Sequence, residues 1–143
     1  MFHILFVCTH NRCRSILCEA IVGQRGGDLL RASSAGSQPE GRVHPLTLKY
    51  LVEAKYSTQG LASKSWDALA DDPPDLVVTV CDSAAGEACP LWLGDAARMH
   101  WPLQDPSKAA NDVQAASQFR RTIALIESSV EGWMNRAREH QSM

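Results

Sequence analysis

Apolar residues run almost unbroken from Phe2 to Val7 and stop at a polar loop, residues 8–14. Such a run predicts a buried strand. Residues 15–25 follow, with Ile16, Leu17, Ala20 and Ile21 at helical spacing, and Gly26-Gly27 ends that helix. Residues 29–35 are a second strand candidate, followed by a loop containing Gly and Pro through Gly41. Residues 45–54 and 63–69 read as helices, and Asp72-Pro73-Pro74 breaks the chain. Residues 75–80 carry the clearest β signal, Leu76 to Val80 being β-rich and continuous as in the interior of a parallel sheet. A long loop, 81–94, leads to a fourth strand at 97–101. Residues 112–138 hold a long amphipathic helix with Phe119, Ile123, Ile126, Val130 and Trp133 on one face. This order predicts an α/β protein: a single domain, 1–143, with a four-stranded, mainly parallel sheet flanked by helices on both faces. Residues 1–138 are expected to form the ordered core and 139–143 a frayed tail.

Composition narrows the function classes. A length of 143 residues fits one domain with its own hydrophobic core, and 45% hydrophobic with 21% charged residues is ordinary for a globular protein. The net charge of -2, with no basic face, gives no reason to expect nucleic acid. An anion site must therefore be local. No stretch reaches membrane-span length, and the N-terminal apolar run lacks the basic lead of a signal peptide, so a cytoplasmic protein without a membrane partner is expected. In a reducing compartment the five cysteines, Cys8, Cys13, Cys18, Cys81 and Cys89, point to catalysis, redox chemistry or metal binding before a disulfide framework.

Open α/β sheets bind ligands beyond the carboxyl ends of their strands, and the loop from Cys8 to Ser15 occupies that place. The N-terminus of a helix offers unpaired N–H groups and partial positive charge, which a loop can aim at one anion. A thiol there is expected as a thiolate, with a pKa of roughly 3.5–7.5. Arg14 can grip two oxygens of a tetrahedral anion with its planar fork. Ser15 can donate to the Cys8 thiolate, and the Asn11 amide can tie the loop together. Alone, Cys8 would pass for an inert strand-end cysteine and Arg14 for a solvated charge. Their joint occurrence with strand, Ser and helix points instead to oxyanion chemistry. A Walker-type nucleotide loop does not fit, because the loop has no Gly and no Lys-Ser/Thr pair. Cys81 ends the third strand, on the same side of the sheet as Cys8, and Cys89 follows after a loop of small residues. The pair reads as a disulfide relay, as two buried small hydrophobes, or as a zinc pair, although Cys-x7-Cys lacks the short repeat of most zinc sites. Asp105-Pro106 taken alone is a turn.

The run Val7-Cys8-Thr9-His10-Asn11-Arg12-Cys13-Arg14-Ser15 resembles the signature loop of low-molecular-weight protein tyrosine phosphatases and of the arsenate reductases that share their fold. The resemblance extends to Ser34-Ala35-Gly36, to His100-Trp101 and to the element order, nearly the whole chain. It implies Cys8 as nucleophile, with Thr9, His10, Asn11, Arg12, Cys13 and Arg14 holding the substrate and Ser15 supporting the thiolate. It also implies Asp105, ahead of Pro106, as general acid. The segment from Val77 through Cys81 to Cys89-Pro90 is similar to the redox loop of three-cysteine arsenate reductases recycled by thioredoxin. The function implied is reduction of arsenate to arsenite, with Cys81 and Cys89 passing on the disulfide and an external dithiol, thioredoxin or glutaredoxin with glutathione, as partner. No tightly bound cofactor and no catalytic metal is implied, and a monomer is expected. Some family members hold a monovalent cation beside the loop; Asn11, Glu19, Ser34 and Asp67 match its oxygens, or else brace Asn11 by hydrogen bonds. The alternatives are a phosphotyrosine phosphatase and a non-catalytic oxyanion-binding or redox-sensing module. The departure is His10, where the family usually carries Gly; His is the costlier of the two if the backbone there is left-handed. Cys13 can trap Cys8 on oxidation, Cys18 packs, His44 is structural, and Trp92, Trp101 and Trp133 belong to core or rim.

Overall fold

A computed structural model of the protein describes residues 2–81 and 96–142. Its elements are β1 (Phe2–Val7), α1 (Arg14–Arg25), β2 (Leu30–Ala35), α2 (Pro45–Glu53), β3 (Leu76–Thr79), β4 (Ala97–His100) and α3 (Asp112–Ser142), with short 3₁₀ turns at Trp66–Leu69 and Pro106–Lys108. The strands form one sheet in the order β2-β1-β3-β4, every neighbouring pair parallel. β1 is central and buried from His3 to Val7, as its apolar run requires. The chain leaves β1 for β2 on one side and returns past it to β3 on the other. Right-handed crossovers run in opposite directions put their connections on opposite faces, and the strand between them opens a crevice at its carboxyl end. Cys8 stands at that end.

The buried stripe of α1, including Ile16, Leu17, Ile21 and Val22, packs on β1 and β2, and α3 lies against α1 through Phe119, Ile123, Ile126 and Val130. Tyr50 of α2 stacks on Phe119 at 4.8 Å. Trp101 and Trp133 meet edge to face at 5.5 Å, a rim contact of the core, as expected of them. Trp92 lies outside the described residues. No helix among the described residues is long and apolar enough to cross a membrane.

Two expectations are corrected. The helix read at 63–69 is only a four-residue 3₁₀ turn, Trp66–Leu69. The Lys64 N–H donates to Asn11 Oδ1 (2.8 Å) and its carbonyl accepts from the Gly36 N–H (2.9 Å), so long-range partners take the groups a helix would need. At the other end, α3 continues past Glu139 to Ser142, where a frayed tail was expected.

Candidate active site

The loop after β1 is held from outside. The Thr9 carbonyl accepts from the Gln38 N–H (2.9 Å), His10 from Glu40 (3.0 Å) and Arg12 from His44 (3.0 Å). Ser63 Oγ also donates to the His10 carbonyl and Thr47 Oγ1 to that of Arg12. With these carbonyls engaged outside, the loop can turn N–H groups inward, the arrangement that binds anions. Cys13 is the N-cap of α1 and makes no side-chain cap, so no side chain there competes with a ligand for the first helical N–H groups. Asn11 takes the left-handed conformation, φ 47°, which its short polar side chain tolerates. His10 does not, so its replacement of the family's Gly costs no left-handed strain. Its Nδ1–H instead donates to the Gln38 carbonyl at 3.1 Å.

The Asn11 amide donates to Ser15 Oγ (2.8 Å) and Ser34 Oγ (3.0 Å), and all three residues are buried. The Ser15 hydroxyl in turn supports Cys8. The Asn11 amide thus holds the Ser15 hydroxyl that counters the upward shift of Cys8.

A cavity of about 120 Å³ opens over this sulfur, lined by Cys8, Thr9, His10, Arg12, Cys13, Arg14, Asp105 and Lys108. That volume suits a tetrahedral oxyanion. Arg14 donates to the Leu103 carbonyl (3.1 Å) and lies 3.7 Å from Asp105, while its buried Nε has no partner among the described residues. An unsatisfied buried guanidinium N–H is costly and is explained by a ligand that accepts from it. Asp105 Oδ1 accepts from the Ser107 N–H (3.0 Å) and hydroxyl (2.6 Å), leaving Oδ2 toward Arg14.

Cys81 completes the centre. Val7 pairs with Thr79, and the Val80 N–H reaches the Val7 carbonyl, so the chain after β3 runs beside the loop after β1. The Thr9 N–H donates to Cys81 Sγ at 3.4 Å, which sets the Cys81 thiol against Cys8. That contact and burial push the Cys8 thiol up, against the pull of the Asn11 N–H and the Ser15 hydroxyl. The expectation of a depressed Cys8 thiol is therefore corrected. Two thiolates in contact repel, so the pair loses its protons in separate steps. Cys8, Cys13, Cys18 and Cys81 are all buried, and Cys89 lies outside the described residues.

Comparison with known proteins shows the family. Residues 3–143 match the low molecular weight phosphotyrosine protein phosphatase family. The chain belongs to this family. It is 38% identical to an arsenate reductase of Bacillus cereus (strain Q1) over 104 residues, 73% of this chain and 76% of that protein. It is 35% identical to an arsenate reductase of Halalkalibacterium halodurans over 119 residues, 82% of this chain and 84% of that one. The solved structure of an arsenate reductase in the phosphate binding state superposes with a TM-score of 0.76 at 25% identity, covering 96% of this chain and 99% of its own.

Within the low-molecular-weight phosphatase frame, the remaining candidates fall into supporting roles. Burial pushes the Cys13 thiol up to about 12 and raises the fully buried Cys18 as well, and Cys18 does not line the cavity. His44 caps α2 by accepting from the Leu46 N–H at 3.1 Å, the structural part expected of it. Of the four residues matched to a cation, Asn11, Ser34 and Glu19 do cluster, but Glu19 meets the Lys64 ammonium at 3.4 Å and Asp67 sits exposed in its turn. The Lys64 ammonium thus sets a side-chain positive charge beside Glu19. Among the described residues no group of three or more His, Cys, Asp or Glu side chains could hold a metal ion.

Sequence reasoning overlooked Lys64, Lys108 and the 38–44 strap, because backbone partners and cavity walls leave no local motif. Gly36 was noticed only by resemblance. A Cβ there would lie 2.5 Å from the Thr9 carbonyl oxygen and 2.8 Å from that of Cys8. Gly36→Ala must therefore displace the loop. Its kcat/KM should fall by about a hundredfold, the cost of misplacing reacting groups by an ångström. Steady-state kinetics beside a melting curve would check this; wild-type kinetics would show that the loop adapts.

Proposed function

We infer that this protein reduces arsenate to arsenite through Cys8, Cys81 and Cys89. The observation that carries the reading is the second thiol: Cys81 is tied to the anion loop by the Thr9 N–H at 3.4 Å and stands beside the nucleophile, whose thiol it raises. A phosphatase needs one nucleophile and water; a reductase needs two electrons, which two thiols supply on becoming a disulfide.

Arsenate enters the cavity, held by the loop N–H groups and by Arg14, whose Nε–H is unsatisfied. Cys8 sulfur attacks arsenic and an oxygen leaves as water, taking up the thiol proton with Asp105 as the proton carrier. Cys81 then attacks Cys8 sulfur. The S–S bond forms and the S–As bond breaks; its electron pair stays on arsenic, which departs as arsenite with the Cys81 proton. Cys89 next attacks Cys81, freeing Cys8, and an external dithiol of the thioredoxin or glutaredoxin type reduces the resulting disulfide. Such chemistry suits the cytoplasm, where thiols are kept reduced.

Asp105→Asn keeps the shape of the acid without its proton. Hydrolysis of an aryl phosphate as a side reaction should fall by roughly 10²–10⁴-fold, while arsenate reduction falls less because arsenate exchanges its oxygens readily. Rates of both reactions across pH would check this, and an unchanged ester rate would remove Asp105 from the chemistry. The reading as a whole is tested by arsenite release from arsenate under defined reductants. Thioredoxin with its reductase, or glutathione with glutaredoxin, should sustain turnover. Phosphate-ester hydrolysis without arsenite under either system would identify a phosphatase.

A further inference from the structure

Three side-chain cations line the cavity: Arg12, Arg14 and Lys108. Arg12 is paired with Glu40 at 3.3 Å, and Arg14 is shared between the Leu103 carbonyl and Asp105. Among the described residues the Lys108 ammonium has neither an ion pair nor a hydrogen bond. It therefore contributes positive charge that no neighbour cancels. Its place is fixed by the turn Pro106–Lys108: Pro106 is buried, the Lys108 N–H reaches the Asp105 carbonyl at 3.3 Å, and the Asp105 carboxylate caps the turn through Ser107. Lys108 is thus carried on the same rigid turn as the acid, at the exposed edge of the cavity.

Attack by Cys8 in line with a leaving group puts that group opposite the sulfur, on the side of Asp105. For an inorganic oxyanion the outward group is an oxygen that carries charge or a proton. For a phosphate ester it is an uncharged organic group. A cation at that point attracts the first and gives the second nothing. No Phe, Tyr or Trp is among the described residues lining the cavity, so none of them offers an aryl group a stacking partner.

We propose that Lys108 is a specificity-determining residue, holding the outward oxygen of an inorganic tetrahedral oxyanion and selecting such anions over phosphate esters. This deepens the arsenate reading, on which it rests for its substrate. It is separable from that reading because inorganic phosphate, a tetrahedral oxyanion that thiols do not reduce, probes the contact without turnover. The concentration of phosphate that half-protects Cys8 from alkylation should rise about three- to tenfold in Lys108→Gln, the scale of a charge-assisted contact at a solvent-open mouth. Lys108→Arg should restore it. KM for arsenate should rise by the same factor with kcat changed less than about twofold, a loss of uniform binding. The dependence of kcat/KM on salt should flatten. Aryl phosphate kcat/KM should stay level or rise, an outcome that a merely structural role would not produce. An equal loss toward arsenate and aryl phosphate, or unchanged phosphate protection in Lys108→Gln, overturns the proposal. Weakened phosphate protection in a protein that makes no arsenite under any reductant would refute the reductase reading and leave Lys108 as the oxyanion contact.

Discussion

Cys8→Ser is expected to produce no measurable arsenite, nor any phosphate-ester hydrolysis, while melting close to the wild type. The hydroxyl is smaller than the thiol and enters a position already bounded by Ser15 and Cys81, so the fold has no reason to fail. Its chemistry does fail. An alkoxide is out of reach near neutral pH, whereas a thiol gives up its proton far more readily than a serine hydroxyl, even beside Cys81, and is intrinsically the better nucleophile. The sulfur is also the atom that must join the disulfide, which oxygen cannot do. Arsenite release and circular dichroism melting together decide the matter. Appreciable turnover by Cys8→Ser would remove the loop from the chemistry altogether.

The second large effect separates the two branches of the family. Cys81→Ser should stop arsenite production and spare aryl phosphate hydrolysis, because water, not a thiol, completes a phosphatase cycle. Cys89→Ser should differ, completing one turnover and halting at a Cys8–Cys81 bridge. Mass spectrometry of alkylated single-turnover mixtures would place the disulfide: Cys81–Cys89 in the wild type, Cys8–Cys81 in Cys89→Ser. A further readout comes from the thiol pair. Cys81 is the leading cause that pushes Cys8 up, so Cys81→Ala should shift the pH profile of Cys8 alkylation toward lower pH. Arsenate reduction at the wild-type rate by Cys81→Ser with thioredoxin would mean that an outside thiol attacks Cys8 directly.

The parts of this protein that its sequence determined alone are those whose physics is local. Phe2–Val7 could only be a buried strand, since six successive residues offered no polar face, and the helix beginning at Arg14 announces itself through Ile16, Leu17 and Ile21. The strand–loop–helix between them made Cys8 and Arg14 legible as an anion site, because an uncapped helix N-terminus carries its own electrostatics. Asp105 needed the family resemblance, since Asp-Pro alone is equally a turn. Only the tertiary structure decided the rest. The parallel register of β1 and β3 brings Cys81 to the Thr9 N–H across a separation of 72 residues, and the Cys81 thiol so placed, with burial, pushes the Cys8 thiol up. The left-handed residue is Asn11, not His10, because the amide at 11 must reach Ser15 and Ser34 at once. Residues 63–65 are not helical because Asn11 and Gly36 claim the Lys64 backbone, and the Lys64 side chain supplies the charge beside Glu19. In each case the deciding energy is a hydrogen bond or charge contact between segments distant in sequence, and local propensity carries no record of such partners.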